Sequence, residues 1–403
     1  MKIEDLALQR SKYKHLSDEE WRWFLQQVEG KERTADKLPT FATIDDWWYP
    51  VRLSCEQCSS ELTARYKASL VREVMGYGLP VTGKGNHFVD LTAGFGVDTY
   101  FLSEHFEHTD YVEQNAELCR IAEHNFSLID NRKSIIVRNS SAEEFLASAG
   151  EYDLIFVDPA RRDSHGGKVF RLEDCTPNVV ELLPTLLSHG KRLMIKLSPM
   201  LDLTQAVTSL SQVTWDIYVV AIKNEVKELL LLSGGTGKIT AIDLDKKDQA
   251  FVFTKEEESN SPQDGLTAQA VCQCNGLSGG IIVPPVGKEA GLYLYEPNAA
   301  ILKAGAYKLI AERFGLLKLD VNTHLYGSET LIENFPGRVW EIKETITSHR
   351  SPLTFTQANV LCRNYPLSPE VLKKKLHLRD GGTAFVIGCR VAGKPTLFYA
   401  ERV

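Results

Sequence analysis

The sequence predicts an α/β protein: a parallel sheet covered by helices and finished by an antiparallel hairpin, preceded by a helical region and followed by an α+β region. Three observations carry this. From Asn86 onward, short apolar runs alternate with helix-length segments, the pattern of a parallel sheet buried on both faces. The runs TWDIYVVAIK and VKELLLLSG are separated only by NE, too little for a crossover helix, so the second must reverse direction. Beyond Gly234, Gly235 and Gly237 the order changes to strand pairs, a helix and a strand-rich tail.

The elements follow from local signals. Ser17 and Glu20 make a capping box for a helix whose apolar stripe is Trp21, Phe24, Leu25 and Val28, with Gly30 as its stop. After the turn-rich LSCEQCSSE comes a helix with Leu62, Tyr66, Leu70 and Val74 on one face, ended by Gly76 and Gly78. Both belong to a helical cap, residues 1–80. Residues 81–236 supply the strands HFVDLTA, TDYVEQ, SIIVRNS, YDLIFVDP and KRLMIKLSP before the hairpin, with ligands expected at their carboxyl ends. In 237–322, KITAIDLD and QAFVFTKE read as strands and EEESNSPQDG as a loop. GLYLYEP, a helix from Asn298 to Phe314, and LLKLDV make a strand-helix-strand unit there. Residues 323–403 hold strands at RVWEIKE, ANVLCRNY, TAFVIGCRV and PTLFYAE, and a short helix opened by SPEVLKKKL.

A chain of 403 residues, 43% hydrophobic and 25% charged, has room for several cores and reads as soluble and globular. The opening MKIEDLALQRSK has no apolar h-region and no later run reaches membrane-spanning length, so a cytoplasmic location and no membrane partner are expected. Cys55 with Cys58 and Cys272 with Cys274 lie far apart without histidines at finger spacing; they read as reduced thiols, and no metal is expected. The net charge of −7 argues against a chain coated in nucleic acid. Yet Phe335 to Val403 carries 11 Lys and Arg against 5 Asp and Glu, a balance of +6 that leaves −13 for the rest. A basic module on an acidic body is either a polyanion-docking part or a solvated face rich in lysine.

VDLTAGFGVDT puts Gly94 and Gly96 between the first strand and the following helix, where a glycine turn lets a ligand approach backbone amides. A dinucleotide fingerprint would want a third glycine where Thr99 stands and an apolar residue in place of Asp90. Glu113 ends the second strand, 19 positions after Gly94, where an acid accepts hydrogen bonds from both hydroxyls of a ribose. Asp90-x-Thr92-x-Gly94-x-Gly96, Glu113, SSAEEF after the third strand, DPAR after the fourth and the terminal hairpin together resemble class I S-adenosylmethionine-dependent methyltransferases, over Asn86 to Gly234. The resemblance implies a seven-stranded Rossmann-like sheet with S-adenosylmethionine as cofactor. It implies Asp90, Thr92, Gly94 and Gly96 around the methionine moiety, Glu113 on the ribose, Ala142 and Glu143 by the adenine, and Asp158 at the reacting end. The plain alternatives are a turn aspartate at 90 and an ordinary first-turn acid at 143.

IFVDPARRD carries the candidate chemistry. Methyl transfer needs the acceptor lone pair in line with the transferred carbon and a group to take the acceptor's proton. Asp158 at the end of the fourth strand is the candidate for that role, and Arg161 and Arg162 supply forked donors suited to phosphate, unless Arg161 clamps Asp158 or Asp163. Amino-group methyltransferases acting on bases carry an aromatic residue where Arg161 stands. RNA uracil-C5 methyltransferases need a cysteine where the fifth strand ends in Lys196-Leu197-Ser198-Pro199, and a serine cannot replace that thiolate. Ribose 2′-O-methyltransferases are similar in their Lys-Asp-Lys-Glu set, and Lys67, Asp158, Lys196 and Glu228 hold comparable places. Lys196 would then serve as a base if partial burial lowered its pKa; chance occurrence of four common residues is the alternative.

The tail VLCRNYPLSPEVLKKKLHLRDGGTAFVIGCRVAGKPTLFYAERV resembles the THUMP-like domain at the C-terminus of a bacterial methyltransferase family, and LYEPNAAILKAGAYKLIAERF its ferredoxin-like companion. The resemblance implies RNA, tRNA or rRNA, as substrate, with Lys373, Lys374, Lys375, Arg379, Arg363 and Arg390 as candidate phosphate contacts. Three functions stay open: an RNA methyltransferase, a methyltransferase for a protein or small molecule, and a non-catalytic RNA-binding protein on a degenerate methyltransferase fold.

Overall fold

The structure, a computed structural model, describes residues 6, 9–75, 85–129, 134–160, 171–262, 292–346 and 353–403. Arg161, Arg162, Cys272, Cys274 and the helix stops Gly76 and Gly78 lie outside the described residues. The chain divides into two compact units: Met1–Asp216 with Glu228–Thr236, and Ile217–Lys227 with Gly237–Val403.

In the first unit, α1 (Asp18–Thr34) has both halves of its capping box: Glu20 N donates to Ser17 Oγ at 3.2 Å and Ser17 N to Glu20 Oε2 at 2.7 Å. It runs through Gly30 instead of stopping there. That glycine is a packing position, since a Cβ on it would lie 2.3 Å from Tyr49 Cβ. The expected turn-rich stretch contains a short helix, α2 (Arg52–Gln57). In α3 (Glu61–Val74), capped by Ser60, the buried face is Ala64, Lys67, Ala68 and Val71. Of the expected stripe only Leu70 is buried, because a lysine, fully partnered, occupies the position an aliphatic residue would normally fill.

The sheet follows as β1 (Gly85–Asp90), α4 (Val97–Leu102), β2 (Phe106–Glu113), α5 (Ala116–Ser127), β3 (Ile135–Asn139), α6 (Ala142–Leu146), β4 (Tyr152–Val157), α7 (Val179–His189), β5 (Gly190–Leu197), α8 (Leu203–Ser209), β6 (Trp215–Ile222) and β7 (Glu225–Ser233). Strands β3, β2, β1, β4 and β5 lie side by side in that order, all parallel, and β7 runs antiparallel beside β5. Buried on both faces, β4 reads as an unbroken apolar run, YDLIFV with one acid. Lys223 and Asn224 between β6 and β7 both have positive φ, 52° and 61°, the geometry of a two-residue hairpin turn.

In the second unit β8 (Lys238–Asp243) pairs parallel with β6, and β9 (Phe251–Thr254) antiparallel with β8. Both β8 and β9 lie beyond the glycines at which the sequence predicts the sheet's end, and β8 pairs with β6. A helix, α9 (Lys255–Asn260), replaces part of the expected loop. Thr254 and Glu257 form its capping box, and Glu258 accepts the backbone N–H groups of Tyr307, Lys308 and Leu309. Then come β10 (Leu292–Pro297), α10 (Ala299–Ala304), α11 (Leu309–Phe314), β11 (Leu317–Asp320), β12 (Thr323–Ser328), β13 (Gly337–Ile346), β14 (Asn359–Arg363), α12 (Pro369–Lys375), β15 (Ala384–Val391) and β16 (Lys394–Arg402). The single helix expected over 298–314 is two, because Gly305 leaves the helical region at φ 84°. These strands form a sheet of order β11-β12-β10-β13-β16-β15-β14 around Trp340, Ile342, Leu294, Ile387 and Phe398.

Among the described residues no helix is long and apolar enough to cross a membrane, and no group of three His, Cys, Asp or Glu is placed to hold a metal ion. Trp340 is 1% exposed at the centre of the second unit's core. Trp340→Ala is expected to cost about 3–5 kcal/mol, read from the urea midpoint of unfolding; a shift below about 1 kcal/mol would mean this core is not what holds the unit together.

Candidate functional site

A cavity of about 300 Å³ opens at the carboxyl ends of β1, β2, β3 and β4, at the lower end of the roughly 300–1,000 Å³ usual for small-molecule sites. Its floor is the turn after β1. Gly94 and Gly96 both have positive φ, 57° and 79°, and a Cβ at Gly96 would meet Phe126 at 2.9 Å, so the turn admits only glycine there without displacement. Asp90, 1% exposed, braces that turn from inside: Thr92 N donates to its Oδ1 at 3.1 Å and Thr99 Oγ1 to its Oδ2 at 2.7 Å. Thr99 thus takes the place of a third glycine because its hydroxyl is needed by Asp90. Burial pushes the Asp90 carboxyl up to about 7, with the Thr99 bond opposing and Asp98 and Asp158 adding to the rise.

Glu113 sits at the end of β2 on the cavity wall, its oxygens oriented by Gly94 N at 3.0 Å and Asn115 N at 2.8 Å. Thr92 Oγ1 accepts from Asp158 N at 2.6 Å, tying the glycine turn to the end of β4. Ala142, buried, and Glu143, exposed, line the cavity at the start of α6, beside Leu118 and Phe95. All eight residues assigned to the cofactor line this one cavity except Gly96, which shapes its turn from behind. An acid fit for a diol, glycine-exposed amides and apolar walls suit S-adenosylmethionine.

The four residues of the Lys-Asp-Lys-Glu set come together, through a fifth. Lys67, with no exposed surface, is held by both oxygens of Glu228 at 2.7 Å and lies 3.1 Å from Asp98 Oδ1. Lys196 Nζ binds Asp158 Oδ2 and lies 3.8 Å from Asp98 Oδ2. Only Asp158, Lys196 and Asp98 line the cavity; among the described residues Lys67 and Glu228 stand behind it. Burial does act to lower the Lys196 pKa, as expected, but Asp158, Asp98 and Glu228 outweigh it and raise the pKa above that of an ordinary lysine. These carboxylates favour the protonated, ammonium form of Lys196. Burial raises the Glu228 pKa against the pull of Lys67 and Lys196, while for Asp98 the two lysines and Ser59 overcome burial and lower it.

Sequence reasoning missed Asp98, Ser59 and Cys58. Asp98 was legible as the acid of GVDT at the first turn of α4; Ser59, whose hydroxyl donates to Asp98 Oδ2 at 2.6 Å, and Cys58, on the cavity wall with its thiol pushed up by burial, carried no signal. In the second unit Lys374, Lys375 and Arg379 are exposed on and after α12, while Lys373 pairs with Asp380 at 2.6 Å. Arg363 is engaged by the buried Glu296, which also binds Arg338, and Arg390 donates to Gly393 O at 2.8 Å.

Comparison with known proteins agrees with this geometry. Residues 293–336 match a ferredoxin-like domain family and 337–402 a THUMP domain-like family. The crystal structure of a "putative methyltransferase" from Porphyromonas gingivalis W83 superposes with a TM-score of 0.77 at 32% identity, covering 96% of this chain and 92% of that one. Two Mycobacterium tuberculosis proteins, from strains CDC 1551 / Oshkosh and ATCC 25618 / H37Rv and both named as uncharacterized S-adenosylmethionine-dependent methyltransferases, are 24% identical over 245 residues. That match spans 59% of this chain and 60% of their length.

The buried Asp90 makes stability depend on pH. An unfolded aspartate titrates at about 3.9, so a folded value raised to about 7 means the folded state binds the proton more tightly. Asp90 therefore favours folding least above the folded value, and its contribution to stability declines as pH rises between the two. The melting temperature of Asp90→Asn relative to wild type is expected to rise from pH 5 and level off above about pH 7; a difference independent of pH would refute it.

Proposed function

Because the chain belongs to the bacterial family of class I S-adenosylmethionine-dependent methyltransferases with a C-terminal THUMP-like domain, we propose that it methylates structured RNA, tRNA or rRNA, by direct in-line transfer. The observation that carries the catalytic part is the Lys196–Asp158 pair on the wall of the cavity that fits the cofactor. When bound, S-adenosylmethionine supplies an electrophilic methyl group. Glu113 would hold its ribose, the turn at Gly94 its methionine moiety, and Ala142 and Glu143 its adenine. Asp158 is the residue placed to accept the acceptor's proton, and Lys196 is a fixed positive charge next to it.

That charge favours one kind of acceptor. An oxygen acceptor passes through an alkoxide-like state when it sheds its proton ahead of or during methyl transfer, and a neighbouring ammonium stabilises that state; a neutral amine becomes positive as it takes the methyl group and is repelled. With no cysteine at the end of β5, carbon methylation through a covalent enzyme adduct is disfavoured as well. Support for RNA comes from the THUMP-like match over 337–402 and from the exposed cations Lys374, Lys375 and Arg379 within it. Lys373 and, from the DPARR stretch of the sequence, Arg161 and Arg162 are further candidate phosphate contacts.

Glu113→Ala is expected to weaken S-adenosylmethionine binding by roughly 10- to 100-fold in a calorimetric titration, the loss of one or two charge-assisted hydrogen bonds; unchanged affinity would move the ribose elsewhere. For the substrate, tRNA and rRNA from a deletion strain and its parent are digested and their nucleosides compared by mass spectrometry. One methylated nucleoside should disappear, return with the wild-type gene, and stay absent with Asp158→Ala or Lys196→Ala. Identical profiles would point to a protein or small-molecule acceptor. Restoration by Asp158→Ala would point to a binding protein without catalysis.

A further inference from the structure

We propose that Asp98 is a positioning residue that fixes the Lys196 side chain at the cavity wall, itself anchored from behind by Ser59 and by the Lys67–Glu228 pair. This rests on the reading of Lys196 and Asp158 as the reacting end of the site.

Lys67 accounts for only part of what Asp98 does. Its ammonium has both oxygens of Glu228 at 2.7 Å, Ser59 Oγ at 3.3 Å and Asp98 Oδ1 at 3.1 Å. Asp98 is only 8% exposed and carries a desolvation cost, which Lys67 and Lys196 together overcome. Its second oxygen is turned to other partners. Asp98 Oδ2 receives Ser59 Oγ at 2.6 Å and faces Lys196 Nζ at 3.8 Å, too far for a hydrogen bond and near enough to act as a charge. It attracts the ammonium without taking one of its hydrogen bonds. The groups facing Lys196 are Asp158 after β4, Asp98 on α4, Glu228 on β7 and Cys58 at the end of α2, while Asp90 and Lys67 face Asp98. Lys196 thus has two carboxylates beside it on the cavity wall, Asp158 bound to it and Asp98 at 3.8 Å.

The test is Asp98→Asn in the full chain, which keeps the shape and an oxygen for Ser59 but removes the charge. With ¹⁵N-labelled lysine, ammonium-detected NMR of the wild type should show a slowly exchanging Lys196 signal, assigned by its loss in Lys196→Arg. In Asp98→Asn that signal should titrate at lower pH or vanish through faster exchange. With tritiated S-adenosylmethionine and bulk RNA from the deletion strain, kcat should fall on the order of 100-fold with cofactor affinity unchanged. A descending limb should also appear between roughly pH 8 and 10 as Lys196 deprotonates, and Asp98→Glu should recover part of the rate. An unchanged Lys196 signal together with a normal pH profile would overturn the proposal. Should Asp98→Asn not fold, Ser59→Ala, which loosens Asp98 and keeps its charge, should give a smaller fall in kcat, and wild-type kinetics there would overturn it as well. If wild-type protein transfers nothing to RNA, the RNA reading fails, and the NMR titration still decides the role of Asp98.

Discussion

A lysine with no exposed surface sets the terms on which the first unit folds. Removing an ammonium from water costs several kcal/mol unless a counter-charge meets it in good geometry. Lys67 is met by Glu228, 161 positions away in the chain, through both carboxylate oxygens. The bond can form only when α3 is packed and β7 has turned back beside β5. The N-terminal helices are therefore part of the sheet domain's own cooperative unit, although their sequence reads as an appended cap. Breaking either half of the pair leaves a buried charge alone, whereas an apolar pair of the same volume would fold at least as well. The ion pair is better understood as fixing one arrangement of helix and strand than as adding stability.

The same cluster explains why the cavity is chemically asymmetric. At its cofactor end the polar groups are backbone amides, hydroxyls and one half-buried acid, Glu113, each satisfied within the turn after β1 or the start of α5. At the other end stand paired ions. Thr92 joins the two, its hydroxyl taking the amide of Asp158, so that the turn under the cofactor and the residue beside the acceptor move as one piece. Distance between donor and acceptor groups is then set by backbone, which is stiffer than a side chain.

Much of this was legible, and the failures have physical causes. The strands β1 to β7 announce themselves because strands buried on both faces must be apolar runs, and the reversal at NE follows from chain length alone. That the residues proposed for the cofactor would gather at one cavity was legible because glycine and acid at fixed places mark the turn and the strand end that form it. Lys67 was named as a candidate but its burial was not foreseen, since a lysine on a helix ordinarily reads as solvated. Asp98 was missed for the converse reason: an acid in a helix's first turn has an ordinary explanation in the helix dipole. The lowered pKa expected for Lys196 failed because it weighed burial alone, and three carboxylates from separate elements cannot be summed before the fold is known. Gly30 and Gly305 show the same residue type with opposite outcomes: one inside a helix because Tyr49 packs on it, one ending a helix at positive φ. Of the missed elements, α9 alone was signalled, by Thr254-x-x-Glu257, and was overlooked under its run of acids.

The two-residue turn at Lys223 and Asn224 has a consequence of parity. Both residues sit at positive φ without being glycine, and Asp245 and Asp243 hold their backbone amides at 2.8 and 2.6 Å, so the turn is kept at that length at some conformational expense. Side chains on β7 alternate between faces, and Glu228 is only four residues into the strand. A one-residue slip of β7 against β5 would present every β7 side chain to the opposite face, placing a leucine against Lys67 and the glutamate among aliphatic neighbours. A turn of fixed length and shape opposes such a slip, so a surface turn helps to choose which face of β7 meets an ammonium it never touches.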